Sequence, residues 1–295
     1  MPADHQKPIF FQPHSSEEKF DDLDSLFQIA SDVESIDNVV IDMRGTDFLI
    51  PSRAVGLVLV CRYIWLKAGT RVLIKNVSQK IQKYMLRMDI PSHAQDWLKI
   101  DNLGNDKWSR NPYTPQLLEL TGIASSSDVE RVVERAGIIF GQWLEAGSLN
   151  SFLSALSELC SNVYQHSQDS NGVVTIQKYE KTSQNTVNIQ VAVGDLGQGI
   201  RGSLETRYGI LASTAAEYIK LAMEGKSARE TGRGGLGLRR VEQILSENQG
   251  YLFLRSHDAS AYSHYKTGRI FASEKCFFPG TQLALGLNFP INQIS

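Results

Sequence analysis

A two-domain α/β chain is predicted from three features of the sequence. Its 295 residues are about twice the roughly 150 of an average domain. In the first hundred, short β-branched runs alternate with amphipathic stretches of helical period. After a proline-punctuated stretch the pattern restarts with two helices, followed by a hairpin-rich series of strands. The expected division is a small α/β unit with its linker at 1–108, then an α/β sandwich with a mixed sheet at 109–295.

The elements follow in order. Ile9 to Phe11 is a short apolar run closed by Pro13. Ser15 to Glu18 supplies a cap and an acidic first turn for a helix in which Phe20, Leu23, Leu26, Phe27 and Ala30 recur at helical spacing. Val39 to Met43 reads as a buried strand, and Pro51 opens an apolar helix that runs to about Lys67 and stops at Gly69. Arg71 to Ile74 is a second strand and Ser78 to Arg87 a second amphipathic helix. From Asp89 to Thr121 the pattern weakens, and Pro91, Gly104, Pro112 and Pro115 mark a linker zone. Two helices then span Asp128 to Leu144, with Ser127 as cap, and Leu149 to His166. Strands are expected at Val173 to Tyr179, Val187 to Val193, Tyr251 to Leu254, Arg269 to Phe271 and Thr281 to Leu287, and helices at Leu211 to Glu224 and Leu238 to Ser246.

Composition excludes several classes. With 42% hydrophobic and 21% charged residues the chain is of the folded, globular type. Its formal net charge of −2 argues against a basic nucleic-acid surface or a polybasic membrane patch. The longest apolar stretch, Ala54 to Cys61, falls far short of the ~18 residues of a membrane span. The N-terminus lacks the basic start and apolar core of a secretory signal. Cys61, Cys160 and Cys276 form no CxxC pair, which fits thiols in a reducing cytoplasm and excludes a cysteine zinc cluster.

Four segments carry chemistry. Glu158, Asn162 and His166 lie four apart, so on a helix they form one polar stripe that drifts about 40° per step. Such a stripe is usually a solvated face, but a carboxylate and an amide one turn apart can also share a hydrated Mg²⁺. Asp195 ends a strand and is followed by Gly197 and Gly199, which allow tight backbone turns beside a ligand. An acid there can accept a hydrogen bond from an exocyclic amine such as adenine presents. Gly232, Gly234, Gly235 and Gly237 precede a helix, where free N–H groups bind phosphate oxygens. Three of these glycines fit a dinucleotide-binding GxGxxG, but the polar Glu224 to Thr231 before them cannot be the strand that pattern requires. Finally, Phe278 to Thr281 leads into the last strand and offers the Thr281 hydroxyl.

The order of these motifs, over roughly Thr121 to Phe289, resembles the Bergerat ATP-binding fold of the GHKL superfamily, whose members include gyrase, the heat-shock chaperone ATPase, histidine kinases and anti-sigma-factor serine kinases. The resemblance implies ATP and Mg²⁺ as ligands. By it Glu158 polarises the attacking water or hydroxyl, and Asn162 holds Mg²⁺ against the phosphates. Asp195 reads the adenine amine with support from Thr281, and Gly197 and Gly199 shape the pocket floor. The glycines 232, 234, 235 and 237 would form the hinge and phosphate cradle of a lid over about Ile200 to Thr231, and His166 falls where the serine-kinase branch often has a basic residue or histidine. Arg201, Arg207 and Arg233 are candidate γ-phosphate ligands from that lid.

The segment Ile9 to Ile90 resembles a STAS domain, the fold of anti-sigma-factor antagonists, through Asn38 to Phe48, Ser52 at a helix start, and Ala68 to Ser78. In that family a serine near the position of Ser52 is phosphorylated by a GHKL kinase. Here Leu49 to Pro51 and Arg53 to Ala54 depart from the family pattern, and the reading of Ser52 as a helix N-cap is preferred to that of a phospho-acceptor. The two resemblances together imply a cytoplasmic ATP·Mg²⁺-binding regulator: a serine kinase or slow ATPase that acts on a protein partner, or a nucleotide-gated interaction module without chemistry. Many relatives of both modules are homodimers.

Overall fold

A computed structural model describes residues 6–10, 23–33, 38–104, 116–181, 185–226 and 236–290. The chain separates into two compact units, Met1–Asn111 with Cys276–Phe278, and Pro112–Lys275 with Pro279–Ser295.

In the first unit β1 (Gln6–Phe10), β2 (Asn38–Asp42), β3 (Val72–Lys75) and β4 (Leu98–Ile100) form a parallel sheet in sequence order. Parallel neighbours need crossovers, supplied here by α1 (Asp24–Ser31), α2 (Pro51–Ala68), and the pair α3 (Gln79–Arg87) and α4 (Ile90–His93). Proline opens α2, and Gly69, at φ 69°, ends it by donating its N–H to Trp65 O at 2.8 Å. An unbroken run from Ala54 to Arg62 is buried, so α2 is enclosed around its circumference rather than along one stripe. Ser78 caps α3 by accepting the Ile81 N–H.

Two expectations for this region change. Ser52 is not the cap of α2; that position is Ile50, which makes no side-chain bond, and Ser52 is the second helical residue. The linker zone contains α4 and β4, because Pro91 sits in the first turn of α4 as a start signal rather than a break. A one-turn helix and a three-residue strand are too short to show a period. The cap expected at Ser15 to Glu18 lies outside the described residues.

The second unit holds a five-stranded sheet in the order β5-β6-β7-β9-β8, from β5 (Leu117–Ile123), β6 (Gly172–Lys181), β7 (Thr186–Gly194), β8 (Tyr251–His264) and β9 (Arg269–Pro290). Its paired strands run antiparallel, where a mixed sheet was expected. Only four residues separate β6 from β7, too few for the crossover that a parallel pair needs. Strand β5 lies in the expected linker zone, and the two final runs expected near residues 270 and 284 are one continuous strand. Five helices accompany the sheet among the described residues: α5 (Ser126–Phe140), α6 (Ala146–His166), α7 (Gly199–Tyr208), α8 (Ala215–Met223) and α9 (Leu236–Glu247). The cap of α5 is Ser125, which accepts the Asp128 N–H, rather than Ser127.

Alternation along the strands sends Val187, Ile189, Val191 and Val193 of β7, and Leu283, Leu285, Leu287 and Phe289 of β9, into one core with Phe140 of α5 and Phe152, Leu156, Leu159 and Val163 of α6. The rings of Phe140 and Phe152 meet edge to face at 5.5 Å. No described helix is long and apolar enough to cross a membrane. Replacing Phe152 by alanine is expected to cost about 3–5 kcal/mol in urea denaturation, the range for an aromatic removed from a packed core; a loss near zero would mean that α6 is not seated on the sheet as described.

Candidate functional site

Helix α6 carries Glu158, Asn162 and His166 at the boundary between its buried face and its exposed one, each half-buried beside the buried Leu159 and Val163. Four-residue spacing puts the three on one side of the helix. Asn162 and His166 line a cavity of about 130 Å³; Glu158, one turn earlier, is not among the residues that line it.

The second wall is the turn after β7. Asp195 is only 3% exposed. Its backbone N–H donates to Thr281 O at 3.0 Å, which extends the β7 to β9 pairing one residue beyond the strand. Its Oδ1 accepts the Gly197 N–H at 2.8 Å, which fixes the carboxylate plane. Leu196 N–H donates to Asp169 Oδ2 at 2.7 Å, while Gln198 donates its N–H to Ser167 O and its side-chain amide to His166 O. The loop is thereby tied to the C-terminal end of α6. Side chains have no room here: a Cβ on Gly197 would overlap the Ser167 carbonyl, and one on Gly280 the Asp195 carbonyl. Gly280 also has φ 80°, which favours glycine on conformational grounds.

The third wall is β8 and β9. Thr281 lines the cavity, and its hydroxyl lies 3.5 Å from Ser256 Oγ, which in turn accepts the Ile200 N–H at the start of α7. The rest of the lining is largely apolar: Val193, Ile200, Leu204, Leu238, Leu254 and Leu283. A buried acid in an apolar pocket, with an amide and a hydroxyl near it, can orient a flat ligand that presents a hydrogen-bond donor.

Asn162, His166, Asp195, Gly199 and Thr281, predicted from separate segments, therefore line one cavity, with Gly197 in the loop that closes it. Gly237 is in the first turn of α9 and its neighbour Leu238 lines the cavity. Gly232, Gly234, Gly235 and Arg233 lie outside the described residues. Arg201 pairs with Glu205 at 2.9 Å, and Arg207 sits over the Tyr208 ring; neither lines the cavity. The Glu205 carboxyl is held below the usual carboxylate range, first by the hydrogen bond from Tyr218 and then by Arg201.

Sequence reasoning missed Ser203, Lys226 and Ser256. Ser203 lies one turn after Gly199, a signal that recognising α7 would have given. Ser256 gave none, because β8 was expected to end at Leu254. His257, also missed, packs against Gly199 from β8 in a left-handed backbone conformation, φ 53°. No family model matches the chain, and no curated protein matches it.

Burial pushes the His257 imidazole below its ordinary pKa, reinforced by Arg201 and opposed by Asp258 and by its hydrogen bond with the Gly197 backbone. The folded state thus binds the proton less readily than the unfolded chain. The penalty is absent above the unfolded value of about 6.5, sets in as pH falls through it, and is complete below the folded value. On lowering pH from about 7.5 to about 5.5 the wild type should lose more unfolding free energy than His257→Asn, asparagine being a side chain that tolerates the left-handed backbone. Equal losses in the two proteins would contradict this assignment.

Proposed function

We propose that the second unit binds ATP with Mg²⁺ as a GHKL-like module, and that nucleotide occupancy regulates a protein partner, with the first unit serving as a STAS-like regulatory domain. The observation that carries the proposal is the meeting of Asn162, His166, Asp195, Gly199 and Thr281 around one cavity.

The residues fit these ligands. A cavity near 130 Å³ compares with one that holds a single aromatic ring, the size of a base rather than a whole nucleotide. Apolar walls suit the faces of a purine, and a carboxylate such as Asp195, its plane set by Gly197 N–H, can accept from an exocyclic amine. Thr281 and Ser256 supply hydroxyls beside it. No cluster of three or more His, Cys, Asp or Glu side chains forms a metal cage among the described residues. Mg²⁺ does not need one: it keeps several waters and binds through one or two protein oxygens plus substrate phosphates. The Asn162 side-chain oxygen, with Glu158 one turn away, is a donor set of that kind. When bound, Mg²⁺ supplies charge neutralisation for the phosphates. Asn162 then orients that end of the ligand, Asp195 and the apolar walls exclude water from the base, and Glu158 holds the hydroxyl of an acceptor or of water.

A non-catalytic version has a specific observation in its favour, the position of Glu158 outside the cavity lining. In it the nucleotide is an ordering ligand for the partner surface.

A melting-temperature series separates the versions. ATP with Mg²⁺ at a hundred times its Kd should add about 2.7 kcal/mol to stability, and Asp195→Asn should abolish the shift. Glu158→Ala should keep the shift and, in the kinase or ATPase version, lose turnover of radiolabelled ATP. No shift with any adenine nucleotide, or an equal shift in the Asp195→Asn protein, would exclude the proposal.

A further inference from the structure

The rim of the cavity holds a cation outside the four motifs. Lys226 follows α8 and is the exposed member of the cavity lining. Its backbone is fixed by the way the helix ends. Gly225 turns left-handed at φ 101°, its N–H donates to Ala222 O at 3.1 Å, and Lys226 N–H donates to Leu221 O at 2.9 Å. These two bonds form a Schellman cap, which holds the residue after the glycine in a defined place. The left-handed φ is what favours glycine at this turn.

The Lys226 side chain is steadied as well. Its Nζ lies 5.1 Å from the centroid of the Tyr208 ring at the end of α7, and the Arg207 guanidinium lies 5.2 Å from the same ring. Each cation is attracted to the ring and repelled by the other. Among the described residues nearby, the Glu205 carboxylate bonds Arg201 and Tyr218, and Glu224 lies 4.0 Å from Lys220. Two cations thus meet at the Tyr208 ring, and one of them, Lys226, is an exposed member of the same lining that holds the buried Asp195.

We propose that Lys226, steadied by Tyr208 and backed by Arg207, is the specificity-determining residue for the phosphate chain of a nucleoside polyphosphate whose base occupies the apolar part of the cavity. This rests on the nucleotide reading of the same site. The ammonium is a compact charge with three donors, suited to phosphate oxygens. It distinguishes ligands by their charged tail, as Asp195 distinguishes them by their base.

Calorimetric titration of ATP and adenosine into the full-length wild type and variants tests the assignment. Lys226→Ala should weaken ATP by about tenfold, the effect of losing one charge-assisted hydrogen bond, and leave adenosine unchanged. Lys226→Arg should retain most of the ATP affinity, and Tyr208→Leu should show a smaller loss of the same kind. Unchanged ATP affinity in Lys226→Ala, or an equal weakening of ATP and adenosine, overturns the role of Lys226 while leaving the nucleotide reading intact. Failure of the wild type to bind either ligand removes both.

Discussion

The backbone crowding at the end of β7 is the constraint on which the rest of the site depends. Asp195 pairs through its main chain with Thr281, its side chain turns back onto Gly197, and the carbonyls of Ser167 and Asp195 occupy the space that a side chain at 197 or 280 would need. Three separate pieces of chain, the end of α6, the turn after β7 and the middle of β9, come within backbone contact only because glycine stands at those two positions. That contact brings an amide from a helix, an acid from a turn and a hydroxyl from a strand into one cavity.

Around this fixed centre the elements differ in how they are secured. Helix α6 is held by a packed aromatic and aliphatic face, and β7 and β9 by a continuous antiparallel ladder. Helices α7 and α8 are joined instead by a polar knot: Tyr218 donates to Glu205 Oε1 at 2.7 Å and accepts the Leu211 N–H at 2.9 Å, while Arg201 bonds the same carboxylate oxygen. The turn so closed presents Ile210 at 83% exposure. Tyr218 is itself fully buried, and Ala215 and Ile219 of α8 belong to the apolar core, so this polar knot is anchored from beneath.

The sequence showed the parts of the fold that have a period and missed those that do not. The β-branched run at Val39 to Met43, the helix opened by Pro51 and stopped by Gly69, and the alternation along Val187 to Val193 each carry enough residues to show their period, and they appear nearly where expected. Helix α4 and strand β4 are too short for that, and Pro91 is an equally good start or stop. The glycines after Asp195 marked a loop and hid α7, which begins at Gly199 itself. For the site, motif order was informative because Asn162, Asp195 and Thr281 are each ordinary alone. Lys226 was not legible: a lysine after a glycine in a polar stretch is a common sight, and its placement follows from a helix cap and a ring contact with the end of the preceding helix, α7.

Backbone NMR of the whole chain, followed while ATP with Mg²⁺ is added, tests the central claim most directly. The account predicts amide shifts concentrated at Asn162 and His166, at Asp195 through Gly199, and at Thr281. An unchanged spectrum, or shifts confined to residues remote from these three segments, would contradict it.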